Sequence, residues 1–168
     1  MNESMMVFSS GFAGPFAFAP QEMNVESAHA SPLATAATQV FRSHPECFDA
    51  ETYRHFLQDN HDPFGFGRLK YVGDVEESKS LNELTYPHIV ISVSGMAEGG
   101  RILHHLRNNL ENPKALALMV GYAAEHTLAR RLMDGHKEVR VFGEPFRVRC
   151  KVKKMDAFSG HADRDELL

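Results

Sequence analysis

Two short and almost continuous apolar runs, Ile89-Val90-Ile91-Ser92-Val93 and Ala115-Leu116-Ala117-Leu118-Met119-Val120, stand on either side of a segment with helical periodicity. Runs of this length suit strands buried on both faces, whereas a strand facing water would alternate apolar with polar residues. Between them Ile102, Leu103, Leu106 and Leu110 recur on one helical stripe, and Pro113 punctuates its end. Leu128, Leu132 and Met133 mark a further helix closed by Asp134-Gly135, and Val139-Arg140-Val141-Phe142 reads as a third strand. Strand, helix, strand, helix, strand at these lengths predicts an α/β fold: a parallel sheet flanked by helices.

The first half is built more loosely. Residues 1–30 contain Gly11, Gly14, Pro15 and Pro20 without a sustained period and read as a disordered leader. Met5 to Phe18 is apolar, but no Lys or Arg precedes Arg42, so the basic lead of a signal peptide is missing. Ser31-Pro32 is a helix start, with Leu33, Ala36, Ala37, Val40 and Phe41 at helical spacing behind it. A second helix is expected from Asp49, with Tyr53, Phe56 and Leu57 on its apolar face. Asn60 to Gly67 is a turn-rich break, and Leu69-Lys70-Tyr71-Val72 a short strand. Asp74 with Glu77 three residues on resembles a capping box for a third helix through Leu81.

A net charge of −4 argues against a general nucleic-acid binder, but the charge is unevenly spread. Residues 101–168 hold 13 Lys/Arg against 9 Asp/Glu, and residues 1–100 hold 5 against 13. A basic carboxyl-terminal part permits local attraction to a polyanion. Cys47 and Cys150 form neither a disulfide framework nor a zinc-finger spacing, which suits reduced thiols in a cytoplasmic protein. No window approaches the ~18 apolar residues of a membrane span.

Two segments carry chemistry. Ser94-Gly95-Met96-Ala97-Glu98-Gly99-Gly100-Arg101 follows a buried strand and opens a helix, where free N–H groups and the helix dipole favour an anion. Arg101 adds a charge-assisted donor. The loop matches neither the dinucleotide fingerprint nor the nucleotide-triphosphate loop, and a tight turn packing a helix onto a sheet explains it equally well. Ser159-Gly160-His161-Ala162-Asp163 is a turn in which His161 can donate a proton to a leaving oxygen and Ser159 can hold a phosphate oxygen; a surface histidine is the plainer reading. One His and one Asp two apart cannot supply a zinc site. Among the other histidines, His104 and His105 are adjacent on a helix and point in different directions. Residues 146–153 alternate, with Phe146, Val148, Cys150 and Val152 on one side and Arg147, Arg149, Lys151 and Lys153 on the other. Four cations on one strand face suit either a nucleic-acid backbone or a charged edge strand.

Several of these segments together are similar to the β-CASP domain of RNA-processing metallo-β-lactamase-fold nucleases, the group that includes ribonuclease J and the cleavage-and-polyadenylation nuclease. The matching stretches are His88 through Leu106, Val120-Gly121-Tyr122, Thr127 through Leu132, Phe158-Ser159-Gly160-His161-Ala162-Asp163 and Ser31-Pro32-Leu33-Ala34. They cover roughly residues 31–168. The resemblance implies an α/β domain with Rossmann-like layering over 31–157 and, from 158, the start of the returning RNA-specificity segment.

The same resemblance implies a catalytic role for His161 at the scissile phosphate and an RNA-phosphate role for Ser94, Gly95, Met96, Gly99, Gly100, Arg101, Ser159 and Gly160. Full-length relatives cut RNA with zinc. Here the His-x-His-x-Asp-His motif is absent, Ala30 stands where the family has Asp, and Ala123 where it often has Gln. The expectation is therefore a portion of a zinc-dependent ribonuclease that holds no zinc of its own, partnered by RNA and by a metallo-β-lactamase half, with self-association possible. Two other readings stay open: a non-catalytic RNA- or phosphate-binding subunit beside a separate metallo-hydrolase, and a degenerate remnant.

Overall fold

The computed structural model describes residues 4–9, 26–29, 32–58 and 69–155. Eight strands and five α-helices follow one another as β1 (Ser4–Ser9), β2 (Glu26–His29), α1 (Pro32–Ser43), α2 (Ala50–Gln58), β3 (Leu69–Tyr71), α3 (Val75–Ser80), β4 (His88–Val93), α4 (Ile102–Asn109), β5 (Leu116–Val120), α5 (Leu128–Met133), β6 (Glu138–Val141), β7 (Glu144–Arg147) and β8 (Lys151–Met155). Six strands form one sheet in the order β3-β2-β4-β1-β5-β8, every neighbouring pair parallel. The expected parallel α/β architecture is present.

The helix boundaries follow local chemistry. The Asp49 carboxylate accepts from the N–H groups of Glu51 and Thr52 (3.0 and 2.8 Å) and starts α2. Asp74 accepts from Glu77 N–H at 2.7 Å and starts α3, the expected capping contact. At the end of α5, Gly135 takes φ +80° while Gly135 N–H bonds Leu132 C=O and His136 N–H bonds Arg131 C=O, so the last carbonyls are satisfied. Ile102 and Leu106 on α4, and Leu110 just past its end, are fully buried against Ala117 and Met119 of β5 and Ala129 and Leu132 of α5. Each such side chain contributes about 1.5–3 kcal/mol by leaving water. On the opposite face Leu118 and Val120 pack with Ile89, the period-two alternation of a strand with two covered faces.

Three expectations are corrected. Within the expected leader, Ser4–Ser9 and Glu26–His29 are strands, and β1 lies between β4 and β5 at the centre of the sheet. The run Met-Met-Val-Phe is short, but it is apolar enough for a strand paired on both sides. The strand at Val139 does not join the parallel sheet; β6 pairs antiparallel with β7 in a separate hairpin. Nor is 146–153 one strand. Arg149 and Cys150 both donate their N–H groups to Leu110 C=O (2.8 and 2.9 Å) at the end of α4, and this double contact turns the chain from β7 into β8. Burial still alternates through the turn, but Arg147 and Lys151 belong to different sheets. β8 ends the described sheet, and Lys151, Lys153 and Lys154 are exposed along that edge.

Candidate phosphate-binding end of the sheet

In a parallel sheet the loops that leave the carboxyl ends of the strands form the natural ligand crevice. Here four ends lie in register: Val93 pairs with Ser9, Ser9 with Val120 and Val120 with Met155. Gly121 N–H donates to Met155 C=O at 3.0 Å and extends that row by one residue. The Ser94–Arg101 loop, the 121–127 loop and the chain beyond β8 therefore all depart from one end.

The glycine loop is held from both sides. Ser94 C=O accepts from Ala97 N–H (2.9 Å), closing a turn over Gly95 and Met96. Met96 C=O accepts from Ala129 N–H (3.1 Å), and Met96 Sδ accepts from Ala124 N–H (3.1 Å). The Glu98 carboxylate accepts from Leu128 N–H, while Thr127 Oγ1 accepts from Arg130 N–H (3.3 Å), so two side chains serve the start of α5. Thr127 immediately before the leucine-rich stripe is a readable N-cap signal. The contact from Glu98 spans 30 residues and has no local signature.

Arg101, half-buried, donates through Nη1 to Val72 C=O (3.1 Å) and through Nη2 to Gly73 C=O (2.7 Å). It ties the loop to the end of β3, so its guanidinium already has a structural task. Gly99 and Gly100 are exposed, and a Cβ added at either would meet nothing within 4 Å. Gly100 has φ +79°, a conformation that disfavours any side chain; Gly99 does not. Among the described residues, the N–H groups of Gly99, Gly100 and Arg101 have no hydrogen-bond acceptor. They precede α4, so they present unpaired donors at the positive end of its dipole.

Beneath the loop is a buried polar cluster. His105 Nδ1–H donates to Asn82 Oδ1 (2.9 Å), which leaves Nε2 to accept from the Ser78 hydroxyl (3.2 Å). Burial first, then the charges of His104, His88 and Arg101, push the His105 pKa down to about 4, so the ring is neutral near pH 7. Serine, histidine and asparagine in a row resemble a nucleophile relay, but Ser78 and His105 are both buried, and the cluster locks α3 to α4. His104, its neighbour, is exposed, as the opposed directions on the helix require.

Of the anticipated site residues, Ser94, Gly95, Met96, Gly99, Gly100 and Arg101 share this end of the sheet. Ser159, Gly160 and His161, like Ser31, lie outside the described residues. Zinc would need three or four converging ligands. Among the described residues no group of three His, Cys, Asp or Glu side chains could hold it. Cys150 is a buried thiol whose pKa is raised by burial, and Cys47 is exposed and unpaired with it. No helix among the described residues is long and apolar enough to cross a membrane.

A parallel sheet flanked by helices, with a glycine-lined turn at its strand ends, defines the broad class of open α/β domains. More narrowly, the chain belongs to the Beta-Casp family: residues 19–132 match the Beta-Casp domain, and residues 145–168 match the Zn-dependent metallo-hydrolase RNA specificity domain. The match begins at residue 19, earlier than the motifs from Ser31 onward indicate, and so includes β2. The chain is 38% identical over 138 residues to a ribonuclease of Thermus thermophilus, covering 82% of this chain and 32% of that protein. It is 29% identical over 137 residues to the transcription termination factor FttA of Methanosarcina mazei, covering 79% of this chain and 22% of that protein. The corresponding factor of Thermococcus kodakarensis is 31% identical over 137 residues, with 79% and 21% covered. The chain thus spans about a third of the first relative and about a fifth of the other two.

Proposed function

We propose that this chain supplies part of the RNA-phosphate site of a zinc-dependent, cytoplasmic RNA-processing hydrolase. In this reading the N–H groups of Gly99, Gly100 and Arg101 receive phosphate oxygens, with Ser94, Gly95 and Met96 shaping the turn. Ser159 and Gly160 approach the same phosphate, and His161 protonates the leaving oxygen or supports it by a hydrogen bond. The metal ligands come from a metallo-β-lactamase half, in the same parent protein or as a separate subunit.

One observation carries the reading: the aligned ends of β4, β1, β5 and β8. His161 follows Met155 by six residues. Six residues reach at most about 20 Å, and the three strand spacings from β8 to β4 measure roughly 14 Å. A fully extended segment 156–161 is thus long enough to span from the end of β8 to the end of β4, where the glycine loop begins. The names of the relatives, a ribonuclease and transcription termination factors, agree with RNA as the ligand.

The test is fluorescence anisotropy with a labelled 5′-phosphorylated RNA. Binding that weakens steeply with salt, and that falls roughly 3- to 100-fold when a carboxylate is placed at Gly99, supports the proposal. Binding of comparable strength by the Gly99 variant refutes it. Addition of zinc to the chain alone is expected to produce no cleavage; chelator-sensitive cleavage by the chain alone would assign the metal site to these residues and contradict the division of labour.

A further inference from the structure

Beside that loop, the β6–β7 hairpin has an unusual tip. Phe142 and Gly143 both have positive φ, +52° and +81°, which is the type I′ pattern of a two-residue hairpin turn. A bulky residue is disfavoured there because its Cβ crowds the following carbonyl; Asn, Asp or Gly fits without that strain. The chain keeps phenylalanine, and leaves it 50% exposed. Neither turn geometry nor core burial calls for an aromatic at this position, and strain of this kind persists where something else requires it.

The ring lies against His104, with centroids 4.7 Å apart and planes at 44°. His104 sits in the first turn of α4, three residues past Arg101, or about 5 Å along the axis. The aromatic pair therefore lies about one helical turn from Arg101, whose N–H has no acceptor among the described residues. Arg140 Nη1 donates to Gly143 C=O (3.0 Å), and Arg107 Nη2 pairs with Glu144 Oε2 (3.2 Å), so the tip is braced and rimmed by charge.

We infer that Phe142, backed by His104, is a stacking platform for an unpaired nucleobase of the strand whose phosphate lies at Gly99–Arg101. This rests on the phosphate reading above and adds to it a surface that contacts a base, one that only an unpaired base with a free face can use. One exposed ring in a charged rim is far smaller than the apolar patch a stable protein contact uses. A base needs only that ring.

The experiment compares wild type, Phe142→Gly and Phe142→Tyr with a 5′-phosphorylated single-stranded RNA, and with the same RNA carrying abasic residues next to its 5′ end. Phe142→Gly relieves the backbone strain, so it is expected to unfold no earlier than wild type while binding the intact RNA roughly 5- to 100-fold more weakly. Phe142→Tyr retains affinity, and the abasic RNA binds wild type and Phe142→Gly alike. Intact-RNA affinity unchanged in Phe142→Gly overturns the platform, as does an equal loss with abasic RNA. A change of oligomeric state in Phe142→Gly with unchanged RNA affinity also overturns it, and assigns the ring to a protein contact. If Gly99→Asp weakens binding while Phe142→Gly does not, only the platform falls; if wild type binds no RNA, both readings fall.

Discussion

Replacing Gly99 by aspartate separates the phosphate site from fold stability. A Cβ at Gly99 meets nothing within 4 Å, and its φ lies outside the left-handed region, so the backbone accepts a side chain. A surface substitution of this kind should leave the unfolding free energy within about 0.5 kcal/mol of wild type, and a carboxylate ahead of α4 faces the favourable end of the helix dipole. A bound phosphate within about 6 Å of the new carboxylate would be repelled by about 0.7 kcal/mol in a water-like dielectric and about 3 kcal/mol at an effective dielectric of 20. Those limits correspond to roughly 3-fold and roughly 100-fold weaker binding. The assay is anisotropy at about 0.05 and 0.15 M salt, with urea denaturation run on the same samples; the penalty should shrink at the higher salt. Thr85→Asp is the control, because exposed Thr85 precedes β4 and adds the same charge at the opposite end of the sheet. Equal losses in Gly99→Asp and Thr85→Asp, or no loss in either, refute the placement of the phosphate.

Further outcomes follow from the same contacts. His105 has a folded pKa of about 4 against an ordinary value of 6.5, so the unfolded chain binds more protons between those limits. Its contribution is complete above about pH 6.5 and is lost as pH falls toward 4, up to about 3 kcal/mol. Urea denaturation at a series of pH values should show a shallower acid slope in His105→Gln; an unchanged slope contradicts the assignment. Arg101→Met should destabilise the chain by about 1–2 kcal/mol without any RNA, because the carbonyls of Val72 and Gly73 lose their donors. Unchanged thermal stability would return Arg101 to a purely ligand-binding role. Thr127→Ala should cost about 1 kcal/mol through loss of the α5 cap, read by chemical denaturation.

The parallel core was legible because its signals are local and repeated. The apolar runs at β4 and β5 and the stripe Ile102, Leu106, Leu110 each specify one element, and caps such as Asp74 mark where helices begin. What the sequence concealed depends on distant partners. The run at Met5 becomes a central strand only because β4 and β5 pair with its two edges. The hairpin was hidden because Phe142-Gly143 lacks the Asn-Gly or Asp-Gly signature of its turn type. The alternation at 146–153 was real as a burial pattern, but the carbonyl of Leu110, some 40 residues earlier, redirects the chain. The glycine loop was legible from its spacing as a turn leading from β4 into α4. Its anchoring by Glu98 and Arg101 was not, since those contacts join segments about 30 residues apart.

The central claim is that the loop after β4 and the segment after β8 converge on one RNA phosphate. A double-mutant cycle between Gly99→Asp and His161→Ala, read as RNA dissociation constants, tests it most directly. Groups that share a phosphate should couple by at least about 0.5 kcal/mol, so that the double variant binds little worse than the weaker single one. Penalties that simply add would show that the two segments serve separate places on the molecule, and would contradict the account.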